Sequence, residues 1–177
     1  MKVALIVGHS VEDQGAYNKA TNQSEYRYNN LLAQVVRMKT NLDIVIVYRK
    51  HGYSKLPSEV NKTGADLAIS LHCNAFDTTV TGTETLSSGS TKANQFAEII
   101  QPKMLEVFGL PNRGIKIKKQ SDRGGLILHK TSMTCVLLEP FFIDNDDDFQ
   151  TGVEVFGKYA DAIIESINEY KSYAIRN

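Results

Sequence analysis

The stretch Asp66-Leu-Ala-Ile-Ser-Leu-His-Cys-Asn-Ala75 decides the fold, because an apolar run ends there in a histidine, a cysteine and an asparagine. Leu67 to Leu71 is too short for a helix and is bounded by Gly64, Asp66 and Asn74, so it reads as a buried strand. In open α/β sheets ligands bind beyond the carboxyl ends of the strands. His72 and Asn74, two apart on an extended chain, share one side of it and sit at the edge of such a site; Cys73 points the other way.

The rest of the chain repeats this logic. Val3 to Val7 is another continuous apolar run, as expected of a strand covered on both faces, and Gly8-His9-Ser10 turns at its carboxyl end. The polar segment to Gln23 reads as a loop. Ser24-Glu25 then opens a helix with Tyr28, Leu31, Leu32, Val35 and Val36 at helical spacing, which places Glu25 in the first turn. Asp43 to Tyr48 reads as a strand, and Leu56-Pro57-Ser58-Glu59 starts a short helix ending near Gly64. Thr81 to Leu86 reads as a strand of weaker burial. A helix from Ala93 should kink or divide at Pro102 before Gly109 stops it. Gly114 to Lys118 and Gly125 to Leu128 read as short strands, and Thr134 to Glu139 as the last buried strand. Asp146 to Asp148 cap a terminal helix whose inward face carries Val153, Phe156, Tyr159, Ala160, Ile163, Ile164 and Ile167. This alternation predicts an α/β fold of one domain, a mainly parallel sheet with helices on both faces.

Composition narrows the function. A chain of 177 residues suits one domain and buries roughly 70% of its unfolded surface without staples. Lys+Arg 20 balances Asp+Glu 20, and the longest basic cluster is Lys116 to Lys119, so no basic face for nucleic acid is expected. Cys73 and Cys135 both lie in apolar runs and read as reduced core thiols. The amino-terminal apolar run is too short for a signal peptide, and no stretch approaches the ~20 apolar residues of a membrane span. Synthesis in the cytoplasm without a signal is the expectation.

Three strand ends therefore carry His9, His72 and Glu139, with Glu25 at the start of the first helix. Two histidines and two carboxylates suffice for a catalytic zinc site, which takes three protein ligands, leaves one position for water and needs a separate base for that water.

At these residues the sequence resembles the zinc-dependent N-acetylmuramoyl-L-alanine amidases of bacterial cell-wall hydrolases and phage endolysins. The matching pieces run along essentially the whole chain: Val7-Gly8-His9, Ser24-Glu25 with Tyr28-Asn29, Ser70 to Ala75, Thr81 to Thr85, Arg113 to Lys116, and Val136 to Ile143. The resemblance implies one Zn2+ per chain held by His9, Glu25 and His72, with Glu139 as the catalytic carboxylate. It also implies peptidoglycan as substrate, cleaved between muramic acid and the first L-alanine of the stem. Two departures stand out: Ile-Val-Gly-His-Ser replaces the usual Asp-Pro-Gly-His-Gly-Gly, and Pro140 stands where Val is more frequent. Both leave the ligands in place, and Ser10 bears on substrate fit.

Residues 1–177 are thus expected to form one zinc amidase catalytic domain with no separate wall-binding module, acting on the wall after release by other means, as in a phage or prophage lysin. Asn74 and His129 are further candidates for substrate contact, although Asn74 is equally a turn residue. His51 reads as solvent-facing, and Tyr26, Tyr28 and Tyr53 as packing residues. Two rival readings are a zinc peptidase or carboxypeptidase acting on another amide, and a wall-binding module without chemistry.

Overall fold

The fold was obtained as a computed structural model that describes residues 1–176, with side chains to Tyr173. Asn177, near which the terminal helix is expected to end, lies outside the described residues. In chain order the elements are β1 (Lys2–Val7), β2 (Tyr17–Asn18), β3 (Gln23–Ser24), α1 (Glu25–Lys39), β4 (Asp43–Val47), α2 (Leu56–Asn61), β5 (Leu67–Leu71), β6 (Thr83–Ser87), α3 (Thr91–Phe108), β7 (Asn112–Ile117), α4 (Gly125–Lys130), β8 (Thr134–Glu139), α5 (Asp146–Glu154) and α6 (Phe156–Arg176).

Six strands form one sheet in the order β4-β1-β5-β8-β6-β7. Every neighbouring pair is parallel except β6 with β8. β1, β5 and β8 are the interior strands that carry His9, His72 and Glu139 at or just past their carboxyl ends, and they lie side by side. Alternation along them divides the core. Val3, Leu5, Val7, Leu67, Ile69, Leu71, Val136 and Leu138 face α1, α3 and α6, packing against residues such as Leu32, Phe96, Ile100, Met104 and Ile163. Ala4, Ile6, Ala68, Cys135 and Leu137 face the other way, onto Leu56 and Val60 of α2 and Ile127 and Leu128 of α4. Helices cover both faces, and a mainly parallel α/β sheet is what the sequence predicts.

Several local expectations change. Gly125–Lys130 is helix α4 rather than a strand: Gly124 adopts a left-handed φ of 81°, and Gly125 folds so tightly back on the preceding turn that a Cβ there would meet the Lys119 carbonyl. β6 is fully buried rather than weakly so, because its Thr and Ser hydroxyls find partners inside: Thr85 Oγ1 donates to Gln101 Oε1 at 2.7 Å and Thr83 Oγ1 to the Pro140 carbonyl at 2.6 Å. The helix α3 runs unbroken through Pro102, which is exposed. The carboxyl-terminal helix is two helices meeting at Val155, capped by Asn145, whose side chain accepts from the N–H groups of Asp147 and Asp148. Val153 is 48% exposed and Leu31 53%, so neither joins the inward face expected of it. The polar segment before α1 also contains the small antiparallel pair β2 and β3.

Ile69, fully buried at the middle of β5, carries no polar function and touches no site residue in sequence. Ile69→Ala is expected to lower unfolding free energy by roughly 2–5 kcal/mol, the range for emptied core positions. Denaturant unfolding of wild type and variant, both in chelator, measures it.

Candidate metal centre

Each of the three candidate donors, His9, Glu25 and His72, is delivered by a different local device. His9 leaves β1 with a φ of 66°, an unusual left-handed backbone for a residue with a Cβ, which turns its ring back over the sheet edge. The preceding Gly8 N–H donates to the Leu71 carbonyl at 2.9 Å, and a Cβ on Gly8 would stand 2.5 Å from that oxygen and 2.7 Å from the His72 ring. Only glycine lets the two strand ends come this close. Glu25 is the first residue of α1, behind the N-cap Ser24, whose Oγ accepts from the Arg27 N–H at 3.2 Å. His72 follows β5 directly, its N–H bonded to the Leu138 carbonyl at 3.1 Å.

The three side chains converge. His9 Nε2 lies 3.1 Å from Glu25 Oε2, and His72 Nδ1 lies 2.8 Å from Glu25 Oε1. Candidate ligand atoms of all three fall within 4.8 Å of one another. Glu25 is 1% exposed. Its carboxylate also accepts from the backbone N–H of Cys73 at 3.1 Å and of Ala16 at 3.3 Å. Burial pushes the Glu25 carboxyl up, but the hydrogen bonds from His72 and His9 and their charges outweigh it, holding the group well below the usual carboxylate range. Burial likewise pulls His9 down, while its hydrogen bond to Glu25 and the charges of Glu25 and Asp13 raise it above 6.5 on balance. The other ring nitrogen of His9 lies 3.5 Å from Asp13 Oδ1 and makes no hydrogen bond. A carboxylate behind the far nitrogen of a histidine is the usual outer support of a metal ligand. Two imidazole nitrogens at the pocket and, behind them, a carboxylate held in its ionised form fit a divalent zinc-type ion.

The pocket beside them has a volume of about 290 Å³, and Glu139 lines it together with His9 and His72. Glu139 Oε2 is buried without a hydrogen-bond partner. Burial raises its carboxyl well above the ordinary value, the charges of Glu25 and Glu84 add to the rise, and Arg123 and Lys118 oppose it. Glu84 stands directly across from Glu139 in the antiparallel register of β6 and β8.

Residues 3–169 match the N-acetylmuramoyl-L-alanine amidase family. The chain belongs to that family. It is 30% identical over 151 residues, 80% of its length, to N-acetylmuramoyl-L-alanine amidase LytC of Bacillus subtilis (strain 168), of which this covers 29%. The chain thus spans less than a third of that relative. Among solved structures, the catalytic domain of an endolysin targeting Clostridia Difficile superposes with a TM-score of 0.81 at 29% identity, over 96% of this chain and 97% of that one. The catalytic domain of CwlV, an N-acetylmuramoyl-L-alanine amidase from Bacillus (Paenibacillus) polymyxa var. colistinus, gives 0.81 at 25% identity, over 97% and 99%. An N-acetylmuramoyl-L-alanine amidase from Clostridium difficile 630 shares the fold, with a TM-score of 0.83 at 22% identity over 97% and 96%.

Within this amidase fold the remaining candidates separate. Asn74 lines the pocket, but its side-chain N–H donates to Glu84 Oε1 at 3.0 Å and its Oδ1 accepts from the Ala75 N–H, so it is engaged in holding the site's edge. His129 is not among the pocket-lining residues. Because Gly125–Lys130 is a helix, its ring turns to the Lys118 carbonyl, 2.7 Å from Nε2, which corrects its placement beside β8. Tyr53, expected to pack, lines the pocket, as do Arg49 and Arg123, which the sequence did not single out, and Lys118, read from the sequence only as part of a basic cluster. Lys118 and Arg123 come to the pocket only once β6 and β7 are known to run against the other strands. Both cysteines are free and buried, and Cys73 packs in the larger core.

Metal binding is expected to need all three donors. Calorimetric titration of chelator-stripped protein with Zn2+ should give one tight site in wild type and none in His72→Ala. Circular dichroism of the stripped protein should retain its helical signal, because the donors sit on a sheet whose core is independent of them.

Proposed function

We propose that the protein is a zinc-dependent N-acetylmuramoyl-L-alanine amidase that hydrolyses the amide joining muramic acid to L-alanine in peptidoglycan. The single observation that carries this reading is the convergence of His9, Glu25 and His72 beside a pocket that His9 and His72 line together with Glu139, whose Oε2 has no hydrogen-bond partner. Family membership and the amidase relatives support the choice of bond.

His9, Glu25 and His72 are the ligands in this reading, and Asp13 supports His9 from behind. A zinc ion bound to them supplies Lewis acidity toward the scissile carbonyl and lowers the pKa of a water molecule. Glu139 takes the proton of the attacking water. The same carboxyl group then returns that proton to the nitrogen of the departing L-alanine as the C–N bond breaks. Burial and the neighbouring carboxylates raise the proton affinity of the Glu139 carboxylate, which suits a group that accepts a proton in one step and gives it up in the next.

A peptidase acting on another amide shares the metal and the base, so the released fragments decide. Mass spectrometry of purified peptidoglycan digested with the enzyme should show intact glycan strands and free stems beginning at L-alanine, with no release in chelator. Stems cut internally would sink the amidase assignment.

Base and ligands are separable by substitution. Glu139→Gln keeps the shape and cannot accept a proton, so turnover should fall about 100-fold or more, the scale of general acid–base help, with zinc content unchanged by metal analysis. Glu25→Gln should lose zinc as well as activity. Loss of zinc in both variants would show that Glu139 is a ligand.

A further inference from the structure

The pocket beside His9 and His72 is also lined by two cations with no use in the steps above. Lys118 follows β7, and Arg123 lies in the turn that leads into α4; both line the same pocket as Glu139. Their charges act on Glu139, which places them within electrostatic reach of the reacting carboxylate. No ion pair or side-chain hydrogen bond engages either among the described residues. The other pocket-lining cation is different: Arg49 is neutralised by Asp13, Nη2 to Oδ2 2.6 Å. The pocket-lining Glu84 is bound by Arg113 Nε at 2.9 Å. Asp122 also lines the pocket, but its Oδ2 accepts from the Lys119 N–H at 2.8 Å and closes the turn.

The backbone that carries these two cations is tied down on several sides. The Lys118 N–H donates to the Ser87 carbonyl at 2.9 Å, and its own carbonyl meets His129 Nε2 at 2.7 Å. The Asp122 N–H donates to the Lys119 carbonyl at 3.1 Å, and the Gly125 N–H to the Asp122 carbonyl at 2.8 Å. Gly124 and Gly125 permit this compact path, as described above. Two cations are thereby anchored at their bases on a hydrogen-bonded loop, lining a pocket in which neither has an ion-pair partner among the described residues. A ligand that completes such a site carries an anion.

We infer that Lys118 and Arg123 form a carboxylate-binding subsite for the peptide side of the substrate, selecting stems whose second residue bears a free main-chain carboxylate over its carboxamide. The inference rests on the amidase reading. The residue after L-alanine in a stem is a glutamate joined through its side chain. Its main-chain carboxyl is therefore left over, one residue from the scissile amide, and occurs free or amidated. A free carboxylate forms charge-assisted hydrogen bonds with Lys and Arg. A carboxamide brings no charge and turns N–H groups toward cations that have no acceptor to offer. His129 serves the subsite as a positioning residue through the Lys118 carbonyl.

The test compares kcat/KM on two soluble muramoyl-peptides that differ only in carboxylate or carboxamide at the second residue, with zinc-loaded enzyme. Wild type should favour the carboxylate about 10-fold, the lower end for a hydrogen bond to a charged group, and added salt should shrink the preference. In the double variant Lys118→Ala/Arg123→Ala the ratio should fall to near one. Both side chains reach solvent, so these truncations spare the core. Equal or reversed rates in wild type, or a preference that survives in the double variant, would overturn the subsite. Cleavage of neither peptide at the muramoyl bond would take down the amidase reading, and the subsite with it.

Discussion

The carboxylate of Glu25 is the constraint to which the rest of the site conforms. A charge buried this deeply costs several kcal/mol if left uncompensated, and its compensation comes from four donors on three separate segments: His9, Ala16, and the adjoining pair His72 and Cys73. To bring them together, the segment after β1 must fold back over the sheet edge. Gly15, at a φ of 75°, lies so close that a Cβ there would stand 2.6 Å from both Glu25 Oε2 and the His9 ring. Gly8 meets the same demand from the other side. The strained backbone of His9 is the local cost of this convergence, held in place by the packing and hydrogen bonds around it.

Much of this was legible in the sequence because the informative signals are local. The interior strands are short, continuous apolar runs, and period-two alternation puts Ile69 and Leu71 on one face and Ala68 and Ser70 on the other, so His72 and Cys73 had to diverge. The presence of a polar residue after each of β1, β5 and β8 then places His9, His72 and Glu139 together once the strands are parallel. What was misread depends on tertiary context. Gly-Leu-Ile-Leu-His reads equally as a short strand or a helical turn, and the arbiter is the Lys119–Gly125 turn, whose glycines select a helix start. β6 looks half-polar because its hydroxyls are satisfied by Gln101 and Pro140, residues that no local window connects to it. Leu31 and Val153 follow the helical period but lie at the margin of the apolar stripe, where one residue of rotation moves a side chain into solvent.

The reversal of β6 is the feature with the largest consequence for chemistry. In an all-parallel sheet the residue beside Glu139 would come from another strand's carboxyl end. Here the amino-terminal end of β6 occupies that place, so Glu84 stands opposite Glu139 in register. Like charges in such a pair are unfavourable, and the protein resolves the conflict asymmetrically. Both Glu84 oxygens are engaged, by Asn74 and by Arg113, whose guanidinium also lies 5.0 Å over the Phe142 ring. Glu139 Oε2 receives no partner at all. The engaged carboxylate is held by its two partners and contributes its charge, while the other keeps an oxygen without a hydrogen bond and a raised affinity for a proton.

The same reversal decides where β7 leaves the sheet. Because β7 runs parallel to β6, it ends at the edge away from His9 and His72, the edge at which β8 begins. The Lys118–Gly124 segment leads from there into α4 and contributes Lys118, Asp122, Arg123 and Gly124 to the pocket. Ser87 and His129 hold the start of that segment by hydrogen bonds to the Lys118 backbone. Lys118 and Arg123 therefore stand on a segment fixed by its main chain, not by pairing of their own side chains, while the one antiparallel strand pair supplies the carboxylate that acts on Glu139.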